Sequence, residues 1–216
     1  MTSQTNRLHG SAREDLERKY TSVLIFDLEA AARLKSWSSL DDIIQECAGH
    51  GDLKTWGNVA DIILGCDAPE HIKIDALQKL LPLTSRLSPP MTLASVSRWI
   101  RCLYALALPS NTDVAQHVLN QVISSVIVGP TAISSTEATP RPDEYPAEEL
   151  EYLATTAYNQ AIDFYSVGAE AGNLKSHTWA ALAIRLAELL KELQDGDNGA
   201  LLDLLQERWS ALRWGD

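Results

Sequence analysis

Basic charge is the first thing this 216-residue chain lacks. Lys and Arg number 18 against 29 Asp and Glu, a formal net charge of −11. A chain so poor in cations has no broad basic surface to neutralise phosphates, which argues against duplex binding as its main work. The same shortage argues against adhesion to anionic membranes. Long hydrophobic runs are missing too: none reaches the roughly 18 residues that a membrane span needs. The first twenty residues are polar and charged, which predicts no secretory leader. Cysteine is scarce, with Cys47, Cys66 and Cys102 forming an odd count. Each falls in an apolar-periodic segment, where a free thiol packs as a small hydrophobe, so no disulfide framework is expected. These shortages together predict a soluble, intracellular, globular chain, and its 45% apolar content suffices for a real core.

Enzyme signatures are also absent. The chain has no Gly-x-x-x-x-Gly-Lys-Ser/Thr phosphate loop, no Gly-x-Gly-x-x-Gly and no Gly-x-Ser-x-Gly elbow. His50 and Asp52 could serve as an acid–base pair, yet Gly49-His50-Gly51-Asp52 reads more simply as a helix end followed by a turn. Cys47 and His50 have half the spacing of a zinc site, with only Cys66 and His71 nearby to complete a tetrahedron. The expectation is therefore no catalytic residue, no metal and no cofactor. Asp41-Asp42 and Glu148-Glu149 read as solvated first-turn charges that complement a helix dipole. His117 and His177 read as partly buried or surface residues, and the six tryptophans as inter-helix packing, with Trp209 and Trp214 expected to be exposed or to cap the last hairpin.

What is present is helical periodicity. Apolar residues recur at three- and four-residue steps almost throughout, predicting about nine helices over 13–35, 37–48, 53–65, 70–87, 92–108, 112–128, 147–167, 174–193 and 199–213. Pro69 and Pro146 stand where helices begin, and Asn111 precedes Thr112 as a cap. Pro82 should kink or end the fourth helix near Leu81. The β-rich run Val122–Val128 continues the 3.6 period from Val114 and reads as the end of a helix. Residues 129–146 hold four of the nine prolines and predict an exposed linker or loop. The expected organisation is a disordered tail over 1–12, N-terminal helical repeats over 13–128, the Pro-rich linker over 129–146 and a C-terminal helical module over 147–216.

Short helices with short connections suit stacked hairpins, the architecture of an α-solenoid. Ala180, Ile184 and Ala187 have the spacing of a tetratricopeptide (TPR) second helix, and Leu153 and Ala157 can fill the large and small positions of the helix before it. The fold expected is thus all-α and TPR-like. On the seventh helix, Leu150, Leu153, Ala157 and Ile162 make an apolar stripe, while Tyr152, Thr155, Asn159 and Asp163 fall on the other face. Asn inside a helix costs about 0.5 kcal/mol against Ala. Beside Tyr158 and Tyr152 it can do more: one amide donor and acceptor next to aromatic rings make a good anchor for a partner helix.

The stretch from Tyr145 to Tyr165, Tyr-Pro-Ala-Glu-Glu-Leu-Glu-Tyr-Leu-Ala-Thr-Thr-Ala-Tyr-Asn-Gln-Ala-Ile-Asp-Phe-Tyr, together with Trp179–Ala187, resembles the C-terminal repeats of the fungal sporulation-specific meiotic TPR family. These are Spo/Zip-type synapsis-initiation proteins, related to animal testis-expressed TPR proteins. Val23–Leu34 and Ser97–Tyr104 are similar to the family's preceding helices, so the resemblance runs over about 20–214. It implies a non-enzymatic scaffold in the nucleus, on meiotic chromosomes, that promotes crossovers and assembly of the synaptonemal complex. The implied partners are small coiled-coil synaptonemal-complex components and other crossover proteins, with no direct nucleic-acid or membrane contact. Family members are several times longer, which implies a C-terminal fragment or a shortened member. The family's aromatic–asparagine docking pair matches Tyr158-Asn159, while Tyr152 stands where the pattern implies Trp. Tyr158, Asn159, Tyr152, Thr155 and Asp163 are accordingly the candidate partner-binding residues. The rival readings are a TPR-type adaptor unrelated to meiosis and a helical enzyme using His50 and Asp52.

Overall fold

A computed structural model of the chain describes residues 2–84, 91–128, 145–167, 170–193 and 196–212. Among them every regular element is helical: α1 (Thr2–Arg33), a 3-10 turn (Trp37–Ser39), α2 (Leu40–His50), α3 (Leu53–Gly65), α4 (Glu70–Thr84), α5 (Leu93–Ala107), α6 (Thr112–Val128), α7 (Ala147–Val167), α8 (Glu170–Glu192) and α9 (Ala200–Ser210). The chain is all-α. It divides into two compact units, Met1–Met91 and Thr92–Asp216.

In the first unit α1 packs on α2 and α3, α3 on α4, and α2 on α4. The inner face of α1 contributes Leu24, Leu28, Ala31 and Ala32, and the unit's centre is filled by Ile44, Trp56, Val59, Leu77 and Leu80. The α2–α3 corner is made by local chemistry. Gly51 closes α2, its N–H donating to Cys47 O at 2.7 Å; a Cβ there would lie 2.8 Å from that carbonyl. Asp52 then opens α3 with a capping box, accepting from Thr55 N at 2.8 Å while Thr55 Oγ1 accepts from the Asp52 N–H at 3.3 Å. These bonds occupy backbone donors that a helix start leaves unpaired.

In the second unit α5 packs on α6 and α7, α6 on α8, and α8 on α7 and α9, with α7–α8 the most extensive pair. Alanines explain that closeness: Ala154, Ala157 and Ala161 on α7 and Ala180, Ala183 and Ala187 on α8 are all buried. Small side chains let two backbones approach, and Leu150, Leu153, Leu186 and Trp179 fill the flanking space. Ser176 fixes the pair further, its buried hydroxyl donating to Ala161 O at 2.7 Å. In both units neighbouring helices pair and next-but-one helices also touch, a pattern compatible with stacked hairpins.

The structure changes several sequence expectations. Helix α1 begins at Thr2, so residues 2–12 are helical backbone rather than a tail. The boundary between units lies at Met91/Thr92, not in the Pro-rich stretch, because α5 and α6 pack on α7 and α8. Residues 129–144 lie outside the described residues; Tyr145, at the end of the expected exposed linker, is buried. Helix α4 runs through Pro82 to Thr84, so of the kink or end expected near Leu81 the end does not occur there.

Candidate functional site

Helix α7 starts just after Pro146, whose carbonyl accepts from the N–H groups of Glu149 and Leu150 at 3.1 and 3.2 Å. Its period turns Leu150, Leu153, Ala157 and Ala161 into the core and leaves Thr155, Asn159 and Asp163 exposed. Tyr158 lies at the margin of the stripe, 5% exposed. Its ring meets Trp209 of α9 edge to face at 6.4 Å, and Trp209 meets the ring of His177 on α8 at 5.3 Å. Trp209, expected to be exposed or to cap the last hairpin, is half-buried and joins α9 to α7 and α8. Trp214 lies outside the described residues. The other end of α9 is fixed by Asp197, whose carboxylate accepts from Gly199 N at 3.0 Å and Leu201 N at 2.5 Å. Gly199 has φ +90°, a left-handed conformation that favours glycine.

Between α7 and α9 opens a cleft of about 510 Å³, lined by Tyr158, Asn159, Ile162, Asp163, Arg208, Ala211 and Leu212. Ile162, Ala211 and Leu212 make it apolar, and four polar groups converge on it. Among the described residues none of the four has a hydrogen-bond or ion-pair partner: the Tyr158 hydroxyl is buried and unpaired, and the Asn159 amide, the Asp163 carboxylate and the Arg208 guanidinium make no bond. Asn159, Asp163 and Arg208 are exposed and reach water; the Tyr158 hydroxyl is the buried one, and a buried polar group is ordinarily satisfied. Burial raises the Tyr158 phenol above its ordinary range, and the positive charge of Arg208 offsets part of that rise.

Three of the five candidate residues therefore come together, and two do not. Tyr152 lies at the α5 side, its ring 4.0 Å beneath the Arg101 guanidinium carbon. Thr155 is exposed and does not line the cleft. The reason is axial: Tyr152 and Thr155 share the Asn159 face but lie one to two turns nearer the start of α7. Glu149, expected as a solvated first-turn acid, is 4% exposed and pairs with Arg101 at 3.5 Å. Beside it the Tyr145 phenol is pushed up, first by burial and then by the Glu149 charge. Sequence reasoning missed Arg208 and Leu212, since nothing local places α9 opposite α7; the neighbouring Trp209 was the signal.

The other singled-out residues are occupied elsewhere. Asp52 is the α3 cap, its carboxyl held below the usual range by the Thr55 hydroxyl and N–H. The His50 ring lies edge-on to Tyr20 at 5.2 Å. The pair thus forms no hydrogen bond of its own among the described residues. Asp41 pairs with Lys79 at 2.5 Å. Cys47 is buried and Cys66 and Cys102 are half-buried, all free thiols. Among the described residues no three His, Cys, Asp or Glu side chains are grouped to hold a metal ion, and no helix is long and apolar enough to cross a membrane. No known family profile matches the chain, nor does any curated protein or any solved structure.

Proposed function

We propose that this chain is a non-enzymatic protein-interaction scaffold, a TPR-like stack of helical hairpins that docks a partner helix in the α7–α9 cleft. One observation carries the reading: a cleft with an apolar floor whose wall holds the buried, unpaired Tyr158 hydroxyl. An aromatic ring and a guanidinium are among the side chains enriched at interface hot spots, and a partner helix lays its apolar face into such a groove. The finer proposal follows from the resemblance of Tyr145–Tyr165 and Trp179–Ala187 to the meiotic TPR family. On it, the chain works in the nucleus, on meiotic chromosomes. The helix docked is then part of a small coiled-coil component of the synaptonemal complex, and the outcome is crossover formation and synapsis.

The test is a pull-down of such a component by wild type and by Asn159→Asp, beside a thermal melt of each. Asn159 is exposed, so the variant keeps the fold. Binding should weaken by roughly 1–3 kcal/mol, the cost of leaving a buried partner group unpaired. Undiminished binding by a folded variant leaves Asn159 an ordinary solvated side chain and removes this cleft from the reading. A wild type that never captures the component, yet retains other helical partners through the cleft, points to an adaptor outside meiosis.

A further inference from the structure

Helix α1 is apolar on two faces. One, with Leu24, Leu28, Ala31 and Ala32, is buried in the first unit, where α1 packs on α2 and α3. On the other, Leu16, Tyr20, Val23, Phe26, Ala30 and Leu34 follow one another at three- and four-residue steps, all exposed. Leu16 and Phe26 are each 68% open and Leu34 is 80% open. Leu34 prolongs the helical turn by one residue, its N–H still donating to Ala30 O at 2.8 Å. Of the nine large hydrophobics exposed among the described residues, five lie on this stripe. Single exposed apolar side chains are ordinary, whereas a continuous row marks a surface that is covered in use.

Charge identifies the cover. The whole chain carries −11, yet residues 12–34 hold four cations against five acids, so this face repels a copy of itself far less than the rest does. Along the Phe26 side of the stripe run Asp15, Lys19, Glu29 and Arg33, paired within the helix as Asp15–Lys19 at 2.7 Å and Glu29–Arg33 at 2.6 Å. Their order is acid, base, acid, base. A reversed copy of the same helix therefore sets a base against every acid.

We propose that α1 pairs antiparallel with α1 of a second copy of this chain, about a two-fold axis near residue 25. Leu16 then lies against Leu34 of the second copy, Tyr20 against Ala30 and Val23 against Phe26, over roughly 27 Å of helix. Asp15 faces Arg33 and Lys19 faces Glu29, which joins the intrahelical pairs into four-charge clusters without breaking them. The apolar seam supplies the affinity and the charges set the orientation. Asp27, an acid within the seam, favours the same sense. A parallel pair in register sets the two Asp27 side chains opposite each other, and the antiparallel one staggers them by roughly 6 Å.

Sedimentation equilibrium of the full chain, from about 5 to about 200 μM, should show the mass rising from 23.7 kDa towards twice that value. Leu16→Glu combined with Phe26→Glu should weaken dimerisation about a hundredfold, with helix content kept because both positions are exposed. Leu174→Glu, a similarly exposed site on α8, should leave the dimer unchanged. Asp15→Lys should weaken it roughly threefold, and adding Arg33→Glu should restore it. A monomer over the whole range, or a dimer that survives the Leu16→Glu, Phe26→Glu change, overturns the pairing. A charge reversal that restores nothing overturns its antiparallel sense, since a parallel pair holds residues 15 and 33 roughly 27 Å apart.

Discussion

Two clefts of similar construction sit in the two units, and they differ in how their polar groups are satisfied. The first, about 330 Å³, is lined by residues of α1, α3 and the turns that follow them, including Glu29, Arg33, Lys35, Asp61 and Asp67. Its charges are mostly spent on one another: Arg33 bonds Glu29 at 2.6 Å and Lys35 bonds Asp67 at 3.0 Å, while the Cys66 thiol donates to Ile63 O at 3.2 Å. The second, between α7 and α9, leaves Tyr158, Asn159, Asp163 and Arg208 without partners among the described residues. A concave surface with charges is thus not yet a site. A guanidinium already neutralised by its own helix gains little from a newcomer, since it must give up one carboxylate to take another. An exposed one without an ion pair gives up only water, and the gain is still about 0–1 kcal/mol.

The comparison can be broken most forcefully at Leu153, which is fully buried on α7. Leu153→Asp puts an unpaired charge into the α7–α8 packing and should cost about 3–5 kcal/mol. Circular dichroism with urea should show the second unit's transition lost and the first unit's retained; a variant that melts like wild type would mean α7 does not pack through this face. The converse perturbation uses pH. Burial pushes the Cys47 thiol from 9.0 up to about 11, so the folded first unit favours the neutral form. That contribution is complete below pH 9 and is lost as pH rises through 9 towards 11, by about 1–3 kcal/mol. Cys47→Ala should flatten this alkaline loss in urea melts at both ends of the window; an unchanged slope removes the thiol as its cause.

A smaller effect is expected at Lys35, which borders the first cleft with φ +57°, a left-handed conformation. Lys35→Gly relieves that strain and should stabilise by up to about 1 kcal/mol, less whatever the exposed Asp67 pair contributes. A drop in thermal midpoint would show the pair to outweigh the strain. The smallest effect is at Asn159, where Asn159→Asp should leave the melt within about 0.5 kcal/mol of wild type, as exposed positions do. A larger loss would make the cleft's polar rim part of the fold and blur the contrast between the clefts.

Legibility in the sequence follows the same divide between local and non-local. Helix α6 runs Thr112–Val128 and α7 runs Ala147–Val167, the spans expected from Asn111, Pro146 and the 3.6 period, because caps and periodicity are written within one helix. The shared outlook of Asn159 and Asp163 was readable for that reason. Tyr158 falls at the stripe's edge, and only the placement of α9 makes it a cleft wall. Glu149 looked solvated because a first-turn acid is good local chemistry; Arg101 of α5 makes its burial tolerable. The unit boundary was misplaced in the same way, since proline content says where a helix cannot continue and nothing about α5 packing on α7.

Backbone amide NMR of the full chain, titrated with an amphipathic helical peptide that carries a leucine seam, bears most directly on the contrast between the clefts. The account predicts shift changes concentrated at 158–163 and 208–212, with those at 29–35 and 61–67 left in place. Changes concentrated around the first cleft, or none in either at a saturating peptide concentration, would contradict it.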